Sequence, residues 1–233
     1  MDKINTFNFQ IGRRVEVTLE EEAKRQAERD KEVAEWEQEA NWMLHPEKFI
    51  YHQVFERSYR LFRDCSLDNS PHGKQITKWL GGDNGLYIWG DVGVGKTYLA
   101  LSCLKWQLAR KQTGYIWTAS ELLDRLRYFI GLKDNLSLEK QVDNYSRLPM
   151  LIIDDFGVQA TTAWADEQLY EVINRRWLKR DSLITIVTSN YIPEELEQKA
   201  KDEIIGGRIV SRIIGMCKVL HIEGKDRRLA KRT

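Results

Sequence analysis

With 233 residues, 42% of them hydrophobic and 30% charged, this chain can bury one substantial α/β core and still carry an appendage. A formal charge of +1 excludes a globally basic nucleic-acid binder, so any such contact must come from local patches. Cys65, Cys103 and Cys217 stand far apart with no Cys-x-x-Cys pair, which argues against a zinc module or a disulfide framework. Charge is unevenly spread: Glu20 to Glu39 is rich in acids and the stretch from Ile204 onward is rich in bases, so different partners at the two ends are expected. No apolar run approaches bilayer-spanning length and the N-terminus lacks a signal-peptide profile; a cytoplasmic protein with reduced thiols and no membrane contact is the expectation.

In chain order, Phe7, Phe9 and Ile11, then Val15, Val17 and Leu19, alternate with polar residues around Gly12-Arg13, a pattern for a small β-hairpin. From Leu19 to about Leu44 a helix is predicted, supported by the i,i+4 pairs Glu20/Lys24 and Glu21/Arg25 and unbroken until Pro46. Its first half is poor in apolar residues, so it is either solvated or docked on a partner. A second helical stretch, about Phe49 to Phe62, leads to the turn signal Asp68-Asn69-Ser70-Pro71, where a linker is expected.

Beyond that point strand and helix patterns alternate, as in a parallel sheet with crossover helices. Strands are predicted at Leu86 to Trp89, Tyr115 to Thr118, Met150 to Asp154, Leu183 to Ser189 and Lys218 to Ile222. Leu101, Leu104 and Leu108 share one helix face, as do Ala165, Leu169, Val172, Ile173 and Trp177, and both stripes read as core.

Between the first strand and the helix after it lies Gly90-Asp91-Val92-Gly93-Val94-Gly95-Lys96-Thr97, a Gly-x4-Gly-Lys-Thr run in a strand-loop-helix context. Glycines let backbone N–H groups converge on a phosphate, and the helix that follows aims its positive end at the same point. Lys96 can then reach the β and γ phosphates of a nucleoside triphosphate and Thr97 can hold Mg2+. The nucleotide-binding set predicted is Gly90, Asp91, Val92, Gly93, Val94, Gly95, Lys96, Thr97 and the adjoining Tyr98.

The third strand ends in Asp154-Asp155. Adjacent carboxylates there could form a helix cap or turn; with a phosphate loop upstream, Asp154 reads as a second magnesium ligand and Asp155 as the group that positions the attacking water. After the fourth strand, in Thr188-Ser189-Asn190, the Asn190 amide can bond both γ-phosphate and lytic water, a role Thr188 and Ser189 could serve only weakly.

These segments, followed in order by Leu151-Ile152-Ile153-Asp154-Asp155-Phe156-Gly157, Ile173-Asn174-Arg175-Arg176, Gly207-Arg208-Ile209-Val210-Ser211-Arg212 and Gly224-Lys225-Asp226-Arg227-Arg228, resemble the AAA+ helicase loaders of the DnaC and DnaI type and their relatives, the IstB transposase helpers. The likeness runs from about Phe62 to Arg228. It implies a five-stranded parallel AAA+ P-loop NTPase core over residues 61–233, preceded by a small, mostly helical partner-binding region at 1–60. A full C-terminal lid is not expected, since the chain ends soon after Arg228.

The same resemblance implies an ATPase that uses ATP and Mg2+ and assembles as a homo-oligomer. Its partners would be the hexameric replicative DNA helicase and single-stranded DNA. Arg212, and after it Arg208, stand where an arginine acting on a neighbour's ATP is expected, although a solvated basic helix face would look the same. Arg228, or Arg227 if the register slips, matches an arginine that contacts ATP within one subunit. Arg125, Arg127 and Tyr128 fall in the helical insert that meets single-stranded DNA in such loaders, while Leu122, Leu123, Leu126 and Phe129 beside them form an ordinary core face. Two features depart from the pattern: the N-terminal region has no metal-binding cysteines, and Asp155 is one methylene shorter than the usual Glu, so slow turnover is expected. An IstB-type transposase helper, a nucleotide-switched scaffold with little hydrolysis and a small phosphotransferase are the rival readings.

Overall fold

The computed structural model describes residues 23–24, 26–27, 31, 45–82, 85–130, 135–158 and 162–226. The chain divides into two compact units, residues 1–44 and 45–233. In the first, Ala23, Lys24, Gln26, Ala27 and Lys31 are helical and exposed, within the helix predicted from Leu19 to Leu44. The hairpin predicted from Phe7 to Leu19 lies outside the described residues.

Among the described residues of the second unit, five parallel strands form one sheet in the order β2-β3-β4-β1-β5: β1 (Gly85–Trp89), β2 (Gly114–Thr118), β3 (Met150–Phe156), β4 (Ile184–Ser189) and β5 (Cys217–His221). Each matches a predicted strand to within one or two residues. Strands covered on both faces read as apolar runs, and the period-two alternation then sorts their side chains. Leu86, Ile88, Ile152 and Ile186 enter one core, and Tyr87, Leu151, Ile153 and Val187 enter the other.

Eight α-helices flank or precede these strands among the described residues of the second unit: α1 (Pro46–Tyr51), α2 (Gly73–Leu80), α3 (Lys96–Ala109), α4 (Ala119–Tyr128), α5 (Asn135–Ser146), α6 (Ala163–Trp177), α7 (Pro193–Glu197) and α8 (Glu203–Met216). Leu101, Leu104 and Leu108 of α3 fill the first core; Leu122, Leu123 and Leu126 of α4 and Leu169, Val172 and Ile173 of α6 fill the second. None of the described helices is long and apolar enough to cross a membrane.

Two organisational expectations change. The stretch expected as one helix from Phe49 to Phe62 is helical in three hydrogen-bond registers: α1, then a π-helical segment His52–Ser58 closed by Tyr59 N–H on the Val54 carbonyl, then a 3-10 turn Arg60–Phe62. Ile50, Val54 and Phe55 are buried in the first core, so this segment belongs to the unit carrying the sheet, ahead of the boundary expected near residue 60. The linker expected at Asp68-Asn69-Ser70-Pro71 is a 3-10 turn, Leu67–Asn69, capped by Ser66 Oγ on Asp68 N–H and anchored by buried Leu67.

In the registers of the sheet, Thr118 lies opposite Asp154, and Trp89 lies opposite both Ser189 and His221. The C-terminal ends of all five strands therefore share one edge, where parallel sheets of this kind bind ligands.

Candidate functional site

At that edge β1 runs into the glycine-rich loop. Gly93 (φ 82°) and Gly95 (φ 109°) sit in left-handed conformations, the kind of backbone that lets successive N–H groups converge on an anion, before α3 begins at Lys96. Lys96 is buried, its Nζ donating to the carbonyls of Gly90 (2.9 Å) and Asp91 (2.8 Å). Phosphate oxygens are stronger acceptors for an ammonium than neutral carbonyls, so the lysine is poised to exchange partners. Asp91 and Val92 are exposed and Val94 is buried. Tyr98 directs its hydroxyl to the Ser66 N–H (3.4 Å) and packs on the first core.

Thr97 joins the loop to β3. Its Oγ1 lies 3.0 and 3.2 Å from the two carboxylate oxygens of Asp154. Thr188 Oγ1 donates to the same carboxylate and in turn accepts the Asp155 N–H at 3.0 Å. Thr188, weighed at the sequence level as a weak candidate, is thus the residue of β4 wired to both acids. Its role follows from cross-strand pairing, which no local motif announces.

Two adjacent acids on an ordinary strand would point to opposite faces. Here the pairing of β3 with β4 shifts between Ile153 and Phe156, and Asp155 takes φ 53°. This bulge leaves Asp154 only 3% exposed while Asp155 projects into solvent. A non-glycine residue in the left-handed region stores of the order of 1 kcal/mol or more, and such strain concentrates at functional positions.

Burial raises the Asp154 carboxyl above its ordinary range, and the Asp155 charge adds to this; hydrogen bonds from Thr188 and Thr97 and the Lys96 charge work the other way. The folded chain therefore holds that proton more tightly than the unfolded chain. The stability tied to this group is fully present below the ordinary carboxylate range and is lost as pH rises through the folded value. Asp154→Asn, uncharged at every pH, should then gain in thermal midpoint relative to the parent as pH is raised from about 4 to about 7 in metal-free buffer. A difference that stays flat across that range would refute the assignment.

The donor set fits Mg2+. Adjacent oxygens of a magnesium octahedron lie about 2.9 Å apart, close to the separations of Thr97 Oγ1 from the Asp154 oxygens. Among the described residues no cluster of three or more His, Cys, Asp or Glu could hold a metal alone, so phosphate oxygens and water would complete the shell.

Asn190 lies just past β4, half-buried. The loop that presents it is fixed by Ser189 Oγ, which donates to the Phe156 carbonyl (2.7 Å) and accepts from Tyr191 N–H (3.2 Å), and by the Tyr87 hydroxyl on the Tyr191 carbonyl (2.7 Å).

Arg208 and Arg212 both lie on α8. Arg212 Nε donates to Asn174 Oδ1 (3.1 Å) and its guanidinium stacks 4.2 Å from the Trp177 ring, both partners on α6. Arg208 is exposed and makes no ion pair among the described residues. Sequence reasoning missed what holds α8 in place: the buried Asp166 carboxylate accepts from the N–H groups of Lys201 (2.6 Å) and Asp202 (3.2 Å), and Asp202 caps the helix on Ile204 and Ile205 N–H.

On α4, Leu122, Leu123 and Leu126 are buried, as the core face predicted. The basic groups lie outside and rest on rings: Arg125 is 5.0 Å from Trp117, and Arg127 pairs with Asp124 (2.7 Å) and sits 5.2 Å from Trp164, while Tyr128 is 71% exposed. Arg227 and Arg228 lie outside the described residues.

The family of IstB-like ATP binding proteins matches residues 14–233. The chain is 30% identical over 157 residues to the replicative helicase loader DnaI of Bacillus subtilis (strain 168), covering 64% of this chain and 49% of that one. It is 26% identical over 155 residues to an insertion-sequence protein of Mycobacterium tuberculosis named for ATP binding, covering 66% and 60%. It therefore spans about half to three-fifths of the length of these relatives. In fold it is similar to the crystal structure of DnaI, with a TM-score of 0.59 at 22% identity over 70% of this chain and 94% of that one. The strand order, the glycine-rich loop against Asp154 and the length of the match lead to one statement: this chain belongs to the IstB-like ATP binding protein family and carries its AAA+ fold.

Proposed function

We propose that this chain is an ATPase whose nucleotide-bridged oligomer loads the hexameric replicative DNA helicase onto single-stranded DNA during replication initiation or restart. The observation that carries the ATPase half is the end of β3, where a bulge buries Asp154 against Thr97 and Thr188 and turns Asp155 outward. The loader half is supported by the likeness to DnaI. The insertion-sequence relatives favour a second reading, in which the same switch delivers a transposase to target DNA.

In the proposed mechanism the loop N–H groups between Gly90 and Thr97 take the phosphates, and Lys96 exchanges its two carbonyl partners for phosphate oxygens. Bound Mg2+, held by Thr97 and Asp154, supplies neutralising charge to those oxygens. Thr188 keeps the Asp154 carboxylate in one orientation. Asp155 and Asn190 position the attacking water at the solvent side of the bulge, and the Asp155 carboxylate takes its proton. Arg212, the first choice from sequence, is engaged by Asn174 and Trp177, so the order is reversed: Arg208, exposed on a helix pinned by Asp166 and Asp202, reaches the ATP of the next copy and Arg212 backs it. Arg125, Arg127 and Tyr128 track single-stranded DNA, the arginines stiffened by the rings beneath them. The unit 1–44 docks the helicase.

With ATP and Mg2+, the full chain should co-elute with the replicative helicase of its source. A version starting at His45 should bind ATP and lose the helicase; cutting at residue 60 instead would remove Ile50, Val54 and Phe55 from the core. Lys96→Ala should abolish ATP binding, whereas Arg208→Ala should spare binding and lose DNA-stimulated hydrolysis. Co-elution with an adjacently encoded transposase and not with the helicase would replace the first reading by the second.

A further inference from the structure

After β5 the chain takes a fixed route past the phosphate loop. Ile222 is buried; its N–H donates to the Trp89 carbonyl at 2.8 Å, and its own carbonyl sits where a Cβ on Gly90 would fall, 2.1 Å away. One residue earlier, His221 stacks on Trp89 with ring centroids 3.7 Å apart. Glu223, Gly224 and Lys225 are then exposed, and Gly224 (φ 155°) has open space around it. Asp226 turns back inward. A Cβ on Gly93 would fall 2.1 Å from its Cγ and Oδ1 and 2.6 Å from its Oδ2, so the carboxylate occupies the space beside the Cα of Gly93, in the middle of the loop.

A carboxylate laid on backbone that curls to receive an anion is a chemical stand-in for a phosphate. Building on the ATP-binding reading, we propose that Asp226 is an internal anion of the phosphate loop, which an incoming triphosphate must displace, so that this residue sets nucleotide affinity. Two like-charged groups cannot share the Gly93 backbone, and the exposed stretch 223–225 between the anchor at Ile222 and the contact at Asp226 gives the carboxylate room to leave. The ligand class is the polyphosphate moiety alone; base and ribose play no part in the competition.

Titration calorimetry of the full chain with Mg-ATP and with inorganic tripolyphosphate tests this. Asp226→Asn, which keeps size and loses charge, should bind both ligands about tenfold more tightly, and Asp226→Glu should stay close to the parent, with thermal midpoints of all three unchanged. Were Asp226 instead a partner of ribose hydroxyls or the adenine amine, Asp226→Asn would weaken ATP binding and leave tripolyphosphate alone. That result, or no change with either ligand, overturns the inference while leaving nucleotide binding intact. A parent chain that binds neither ligand overturns the nucleotide reading itself, and this inference with it.

Discussion

Asp155→Asn should lower ATP hydrolysis by about two to three orders of magnitude while ATP affinity stays within about twofold, the range expected on removing a positioned general base. The prediction is sharp because the backbone tolerates the change. Asp155 sits at φ 53°, and asparagine is among the few residues that accept the left-handed region, so bulge, Thr188 contact and Asp154 geometry should all persist. What disappears, on the proposed mechanism, is the base that an exposed carboxylate at the solvent side of the bulge would supply. Phosphate release under saturating Mg-ATP, alongside calorimetric binding, separates the two quantities. Asp155→Glu is the informative partner. It restores the reach that the missing methylene denies, yet a longer side chain at a left-handed position costs about 1 kcal/mol, a loss of roughly 2–4 °C in thermal midpoint for a chain of this size. Faster hydrolysis in a less stable protein would show that the native residue trades turnover for backbone fit; hydrolysis by Asp155→Asn at the parent rate would remove residue 155 from the chemistry.

The parts of this site that could be read from sequence are those written in consecutive residues. The loop Gly90 to Thr97 sets its own φ angles, and strands such as Met150 to Ile153 are apolar throughout because both faces are covered. What escaped depends on pairing across the sheet or on packing. The bulge at Asp154 and Asp155 is a mismatch between β3 and β4, and nothing in Ile-Ile-Asp-Asp-Phe marks it. Thr188 gains its role only because β4 lies beside β3. Phe49 to Phe62 has helical periodicity, but seating Val54 and Phe55 in the core widens and then tightens its turns. Asp68-Asn69-Ser70-Pro71 is as polar as a linker, and only the burial of Leu67 next to it ties it into the body. Helix α5 carries Leu138, Val142 and Tyr145 too sparsely to stand out before the structure pairs them with α6. Arg125 and Arg127 were found as basic groups, but the Trp117 and Trp164 rings beneath them come from other elements.

Arg176→Met should destabilise the fold by about 3 kcal/mol or more, because several buried acceptors lose a charged donor together. Arg175 and Arg176 are neighbours in sequence, and the helix turns them to opposite fates. Arg175 faces the acids Glu139, Asp143 and Glu171, whereas Arg176 is 0% exposed and meets no carboxylate among the described residues. Its Nε donates to Thr185 Oγ1 (2.8 Å), Nη1 to the carbonyls of Ser146 (3.2 Å) and Leu148 (2.8 Å), and Nη2 to the Ile184 carbonyl (2.6 Å). Burial lowers its pKa to about 9, which still leaves it cationic at neutral pH. The end of α5 makes that charge tolerable: Ser146 and Leu148 present carbonyls at a helix C-terminus, where the macrodipole is negative and a cation is favoured. The guanidinium thereby ties α5, the entry to β3 and the start of β4 into one block, at the starting end of the two strands that carry Asp154 and Thr188. Methionine fills similar volume and supplies no donor, so four hydrogen bonds vanish at once. The thermal midpoint should fall by roughly 6–12 °C. Arg176→Lys retains the charge but lacks the planar fork, and should recover only part of that loss. Because Arg176 touches no residue of the phosphate loop, the folded fraction of either variant at low temperature should bind ATP like the parent; equal midpoints for Arg176→Met and the parent would show that the buried fork adds nothing to stability.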